Sequence, residues 1–201
     1  MPRRVKERLR ERRAEVRNIL LTVIWGLASI QLMGADEGCP DLKGKDAAAH
    51  VEYLRGDRAN LPSKCVVASI RYLGGQRYAQ ASATLIQYLD YPAPVAAARR
   101  GIILEVYPAI DALYSMRKPV VPQLTAAIAD ADTPEVAREN AAFVILFLFG
   151  GNQPEGVATL VSAAHAQTDP SAAIRLMDKA RWVAARCIEA NRNECENAVF
   201  K

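Results

Sequence analysis

Four cysteines are the residues whose type and spacing most directly suggest chemistry in this chain: Cys39, Cys65, Cys187 and Cys195. An even number of cysteines in an exported domain is typical of disulfides. Cys187 and Cys195 are eight residues apart, and a continuous helix would separate them by about 12 Å, too far for a bridge. We therefore predict that the helix turns back between them to form a Cys187–Cys195 disulfide. Of the three possible pairings, proximity in sequence then favours Cys39–Cys65 as the second bridge, which would tie the N-terminal arm to the domain.

Other reactive residues are sparse. The only two histidines are His50, in "AAAHVEY", and His165, in "AAHAQ" near a helix end. Neither lies near a cysteine and no CxxC pair exists, which argues against zinc. The chain also lacks a phosphate-binding GxxxxGK[ST] loop, GxGxxG, HExxH, GxSxG and an EF-hand loop. We predict no catalytic residues, no metal and no cofactor.

The N-terminal segment has the composition of a targeting signal. Residues 1–18 contain eight basic and three acidic side chains, and residues 19–35 contain no charge. Basic residues ahead of an apolar run stay on the cytoplasmic side during insertion, and this run is short for a spanning helix. We predict a secretory signal over residues 1–35 with cleavage after Ala35. An uncleaved anchor and an amphipathic helix packed on a cytosolic domain remain alternatives, although the apolar residues are contiguous rather than confined to one helix face.

The charge of the chain resides mainly in that segment. The whole chain carries +4, whereas residues 36–201 contain 18 basic and 19 acidic side chains, a net charge of −1. A domain without basic excess has little to neutralise phosphates, which argues against nucleic acid as a partner.

The remainder of the chain is predicted to form one all-α domain. Residues 36–61 are predicted to form a loop and an opening helix, and residues 62–201 a repeat domain. Prolines that favour helix starts and glycines that favour helix ends predict helices near residues 46–55, 62–73, 77–90, 94–105, 108–116, 120–130, 134–149, 154–166, 170–188 and 193–200. The run "AAFVILFLF" at 141–149 is too short to span a bilayer and is predicted to be a buried central helix.

Three segments repeat one pattern of an apolar helix, a tight turn and a second helix. They cover residues 68–90, 108–130 and 141–164, and each carries a polar residue followed by leucine, with Leu85, Leu124 and Leu160 spaced by 39 and 36 residues. A two-helix period of this size is typical of helical solenoids. The segment "PAIDALYSMRKPVVPQLTAAI" resembles the HEAT-repeat family. The resemblance implies a right-handed α-solenoid of about three to four helical hairpins that presents surfaces to partners.

Equivalent positions of the repeat define a candidate partner surface. Residues one before and two after each repeat leucine are mostly small and polar, and all seven tyrosines lie between residues 53 and 114. Tyrosine is enriched at binding hot spots, and two tyrosines fall outside the apolar stripe of the predicted 77–90 helix. The candidate partner-binding residues are Thr84, Gln87, Tyr88, Tyr91, Gln123, Thr159 and Ser162.

These observations predict an exported, non-enzymatic scaffold or adaptor of the bacterial envelope that binds a protein or peptide. It would be periplasmic or secreted. The first alternative is a subunit of an inner-membrane complex, anchored only through residues 19–35. The second is an enzyme, because some HEAT-like proteins resemble the lyases that attach bilin pigments to phycobiliproteins. Export would separate such an enzyme from its cytoplasmic substrates.

Overall fold

The computed structural model describes residue 39 and residues 42–94, 102–150, 154–187 and 192–199. The chain divides into two compact units, Met1–Lys43 and Gly44–Lys201. The predicted signal or anchor over residues 1–35 lies outside the described residues. In the second unit the described residues contain helices and turns but no strand, so the all-α prediction is confirmed for them.

The described α-helices all belong to the second unit. Two 3₁₀ turns, Ala79–Ala81 and Lys118–Val120, precede the third and sixth of them. The α-helices are α1 (Ala47–Leu54), α2 (Ser63–Gly75), α3 (Ser82–Ile86), α4 (Ile103–Val106), α5 (Pro108–Ser115), α6 (Val121–Ala129), α7 (Glu135–Leu148), α8 (Pro154–His165), α9 (Pro170–Ala184) and α10 (Arg192–Val199).

Local sequence accounts for several helix starts. Asp169 caps α9, since its carboxylate accepts hydrogen bonds from the backbone N–H groups of Ser171 and Ala172. Pro170 then occupies the first turn, where a missing N–H costs nothing. Asp46 caps α1 in the same way. Helices α8 and α9 begin at Pro154 and Pro170, so both predicted starts are confirmed.

The helices of the second unit contact one another in two series. In the first series, which we call row A, α2 packs on α5, α5 on α7, and α7 on α9. In the second, row B, α3 packs on α6, α6 on α8, and α8 on α10. Helices α6 and α7, and likewise α8 and α9, join the two rows. Apart from α1 and α4, successive helices of the chain thus alternate between the two rows.

Most of the apolar run at 141–149 is buried, as predicted, while its three phenylalanines and Leu148 are half-buried. Ala141, Ala142, Val144, Ile145 and Leu146 are buried in the main core. A helix covered on most sides can be apolar throughout, because no face has to meet water. The neighbouring polar Asn140 is buried too, and its side-chain N–H donates to the Leu89 carbonyl oxygen at 2.6 Å, which satisfies both groups.

The predicted continuous helix over 77–90 is wrong. The chain forms the 3₁₀ turn at Ala79–Ala81, the short α3, and then turns over residues 87–90. The bonds that follow α3 join each N–H to the carbonyl three residues earlier, as from Tyr88 to Leu85 and from Leu89 to Ile86. Three-residue spacing is tighter than an α-helix and places residues i and i+3 on one side.

Within row A, helices α2 and α5 make a close contact. A Cβ added at Gly74 in α2 would lie 2.6 Å from Ala112 Cα in α5. Because any side chain would collide with the backbone of α5, the two helices approach this closely only with glycine at that position.

All four cysteines are disulfide-bonded. Cys187 and Cys195 are joined at an S–S distance of 2.12 Å, with their Cα atoms 6.5 Å apart. Helix α9 ends at Ala184, and α10, which carries Cys195, packs against both α8 and α9. The chain turns over residues 185–187 after α9, and the packing of α10 on α8 and α9 places Cys195 next to Cys187. Within the described ranges, no helix combines the length and hydropathy needed to cross a bilayer.

Candidate functional site

A groove of about 560 Å³ lies where α3, α6 and the start of α7 meet; we call it the row B groove. Its apolar lining consists mostly of methyl groups, from Ala83 and Ile86 on α3, Ala126 and Ala127 on α6, and Ala137 on α7. Small side chains leave room for a bound segment to approach the helix backbones. The polar groups around it are Arg58, Gln87, Asp90, Gln123, Asp130, Asp132 and Thr133.

Arg58 organises the α3 side of the groove. Its guanidinium donates to the Gln87 carbonyl oxygen at 3.1 Å and to Asp90 Oδ1 at 2.8 Å. It also lies 5.3 Å and 5.0 Å from the ring centres of Tyr88 and Tyr91, within range of a cation–π interaction. Arg58 therefore neutralises Asp90 and satisfies a carbonyl at the end of α3.

The loop between α6 and α7 forms the opposite side. The Asp130 carboxylate accepts hydrogen bonds from the Asp132 backbone N–H at 3.1 Å and the Thr133 hydroxyl at 2.9 Å. These two bonds lower the pKa of Asp130, so the carboxylate stays ionised. Asp132 is exposed and makes no side-chain hydrogen bond or ion pair to the described part of the chain.

Two arginines from row A helices bind the backbone of that loop. Arg175 of α9 donates to the Ala129 carbonyl oxygen at 2.7 Å, and Arg138 of α7 donates to the carbonyl oxygens of Asp130 and Thr133. Arg138 also pairs with Glu135. The backbone carbonyls of the loop are thereby satisfied, and its conformation is tied to two row A helices.

The predicted partner-binding residues divide into two sets. Gln87 and Gln123 are exposed around the row B groove, and Tyr91 is half-buried beside Arg58. Thr159 is half-buried, and its hydroxyl donates to the Glu155 carbonyl oxygen within α8. Ser162 is exposed on the same helix.

The predictions for Thr84 and Tyr88 are wrong, because both side chains are buried. Tyr88 is 2 % exposed, and its hydroxyl donates to the Leu54 carbonyl oxygen at 2.6 Å. The three-residue hydrogen bonds after α3 place Tyr88 on the side of the buried Leu85. Thr84 is buried because α3 is covered by both α5 and α6.

A second groove, of about 520 Å³, separates α8 from α10. Ser162 and His165 of α8 line it together with Glu155, Glu194 and Asn197. Because α10 carries Cys195, one wall of this groove is held by the Cys187–Cys195 disulfide.

The two histidines lie in different surroundings. His50 is buried, with Nδ1 3.1 Å from Ser69 Oγ and its ring stacked on Tyr72 at 4.1 Å between centroids. His165 is exposed beside the second groove. Among the described side chains, no group of three or more His, Cys, Asp and Glu residues could hold a metal ion.

Sequence reasoning missed the charged residues of the row B groove: Arg58, Asp90, Asp130 and Asp132. One signal was present, since Asp90 and Asp130 follow the C-terminal ends of α3 and α6. Helix C-termini favour cations rather than carboxylates. An aspartate at two such ends suggests a role other than helix stabilisation.

Comparison of the chain with protein-family models, with curated proteins and with solved structures finds no match.

Proposed function

We propose that this protein is an exported, non-enzymatic α-solenoid of HEAT-like helical hairpins, and that it serves as a scaffold or adaptor in the bacterial envelope. The observation that carries the proposal is the row B groove. It lies between successive helices of one row, where repeat proteins engage extended or helical segments of their partners.

The packing of the helices supports the solenoid. Apart from α1 and α4, successive helices alternate between row A and row B, and the contacts within each row follow the order of the chain. Stacked hairpins contact mainly their neighbours in this way, whereas a closed bundle would also join the first helices to the last. The methyl-lined floor and the exposed amides of Gln87 and Gln123 suit a peptide backbone, which offers both donors and acceptors.

Two further observations support export. Disulfides persist in oxidising compartments, and every cysteine of this chain is in one. The basic residues 1–18 followed by the uncharged residues 19–35 match the order of a secretory signal. The same segment would serve as an anchor if it were retained, which makes a membrane-tethered subunit of an envelope complex the second candidate.

Site-specific photo-crosslinking in the cell that produces the protein tests the proposal. Gln123 on the groove and Gln76 at the end of α2 are both exposed glutamines, so each can be replaced by p-benzoylphenylalanine with little effect on folding. We expect an adduct of discrete mass, in the envelope fraction, from the Gln123 variant and not from the Gln76 control. The same adducts from both positions, or none from either, would contradict a groove-bound partner.

A further inference from the structure

The row B groove is unevenly charged. On its α3 side the Arg58 guanidinium and the Asp90 carboxylate neutralise each other at 2.8 Å. On its α6–α7 side, Asp130 and Asp132 are exposed, and no side-chain ion pair within 4.0 Å joins either of them to another described residue. The unbalanced charge of the groove is therefore negative and is concentrated on one loop.

Nearby cations do not neutralise this loop. Arg175 is directed to the Ala129 carbonyl oxygen and to Asp169, and Arg138 to backbone carbonyls and Glu135. Both act on the loop from the row A side and lower the pKa of Asp130 through their charge without a direct contact to its carboxylate. The Asp130 carboxylate, which faces the groove, thus keeps its charge.

The Asp130 carboxylate is held in position before any partner arrives. The Asp130 carboxylate is held by the Asp132 N–H and the Thr133 hydroxyl, and the loop carbonyls are held by two arginines. An acceptor that is already ordered loses little conformational entropy on binding. Asp130 therefore resembles a preformed acceptor for a cation more than a flexible surface carboxylate, and the exposed Asp132 adds a second negative charge beside it.

We infer that the occupant of the row B groove is a protein segment carrying a lysine or arginine that binds Asp130 and Asp132, with small apolar residues against Ala126, Ala137 and Ile86. The inference rests on the proposed function and adds the chemistry of the partner. Charge complementarity selects the basic side chain, and the methyl-lined floor excludes bulky flanking residues.

The probe is a random peptide library displayed on phage and selected against the full disulfide-bonded chain. Binding of the enriched peptides is then measured by fluorescence anisotropy against three variants. Asp130→Asn combined with Asp132→Asn removes both charges, while the amide at 130 can still bond to the Asp132 N–H and the Thr133 hydroxyl. Ala126→Trp fills the groove from an exposed position. Ala48→Trp makes the same change at an exposed position of α1, outside both grooves.

The expected result is enrichment of lysine or arginine at one peptide position. The double asparagine variant should weaken binding about five-fold, in line with an exposed charge pair, and salt should weaken the wild type more than this variant. Ala126→Trp should abolish binding, and Ala48→Trp should leave it unchanged. Peptides whose binding is lost with Ala126→Trp but that show no enrichment of lysine or arginine would overturn the inference and leave the proposed function standing. Failure to select any peptide sensitive to Ala126→Trp would overturn both.

Discussion

Replacing Gly74 by alanine tests the contact between α2 and α5. The new Cβ would lie 2.6 Å from Ala112 Cα and 2.8 Å from Ala112 Cβ, whereas carbon atoms pack best at about 3.5–4.0 Å. One helix must therefore move by about 1 Å. The obstructing atoms belong to the backbone and to a Cβ, which no rotamer change can remove.

The magnitude follows from two opposing effects. Overpacking of a filled core costs about 1–3 kcal/mol, and exchanging glycine for alanine in a helix returns up to about 1 kcal/mol. We expect Gly74→Ala to lower the free energy of unfolding by about 1–2 kcal/mol. For a chain of this size that is a fall in Tm of about 2–8 °C.

Urea unfolding followed by circular dichroism measures this difference, and the adjacent glycine supplies the control. A Cβ on Gly75 would meet nothing within 4 Å, so Gly75→Ala should be neutral or stabilising. If both variants unfold at the same urea concentration, α2 and α5 do not approach as closely as described, and the reasoning about their contact is refuted.

Two further predictions concern buried polar groups. Tyr88→Phe should lower the free energy of unfolding by about 1–2 kcal/mol, because it leaves a buried carbonyl without its partner. The Tyr91 hydroxyl has no hydrogen-bond partner among the described residues, so the control Tyr91→Phe should change the free energy of unfolding by less than about 0.5 kcal/mol. Equal effects of the two variants would contradict the Tyr88 hydrogen bond. Burial raises the pKa of Tyr88 above its ordinary 10.0, so wild-type stability should fall as pH rises past about 10, and this component should be missing from Tyr88→Phe. Glu135→Gln should cost about 1 kcal/mol at pH 7 in low salt, because it leaves the nearly buried Lys179 without its hydrogen-bonded carboxylate. The bond from Lys179 lowers the pKa of Glu135 below 4.5, so the difference should vanish as pH falls through that lowered pKa; a difference that persists at pH 2 would contradict the pairing.

The positions of most helices could be predicted from the sequence, because the residues that start a helix or mark it as buried lie within the helix or next to it. Pro154 and Pro170 mark the starts of two helices, and most of the apolar run in α7 is buried. The break after Ile86 was not accessible, because the choice between three-residue and four-residue hydrogen bonds is decided by packing on α5 and α6. That one break reversed the orientation expected for Tyr88.

Only some residues of the row B groove could be predicted from the sequence. Counting from the repeat leucines found Gln87 and Gln123, because both depend on helix periodicity alone. Arg58 reaches Asp90 across 32 residues of sequence, and Asp132 stands on a loop held by distant arginines. Contacts of this range follow from the tertiary arrangement, which no local pattern specifies.

The ends of the row B helices have a consequence for how this protein can change in length. The carbonyls that follow α3 accept from Arg58, in the connection before α2, and from Asn140 in α7, while the last carbonyl of α6 accepts from Arg175 in α9. Each end is thus completed by a side chain from a different part of the chain. Duplication or deletion of one pair of helices would leave these groups without partners, and two of the three bonds are buried or partly buried. The surface of the row B groove is therefore expected to change by substitution rather than by gain or loss of helix pairs.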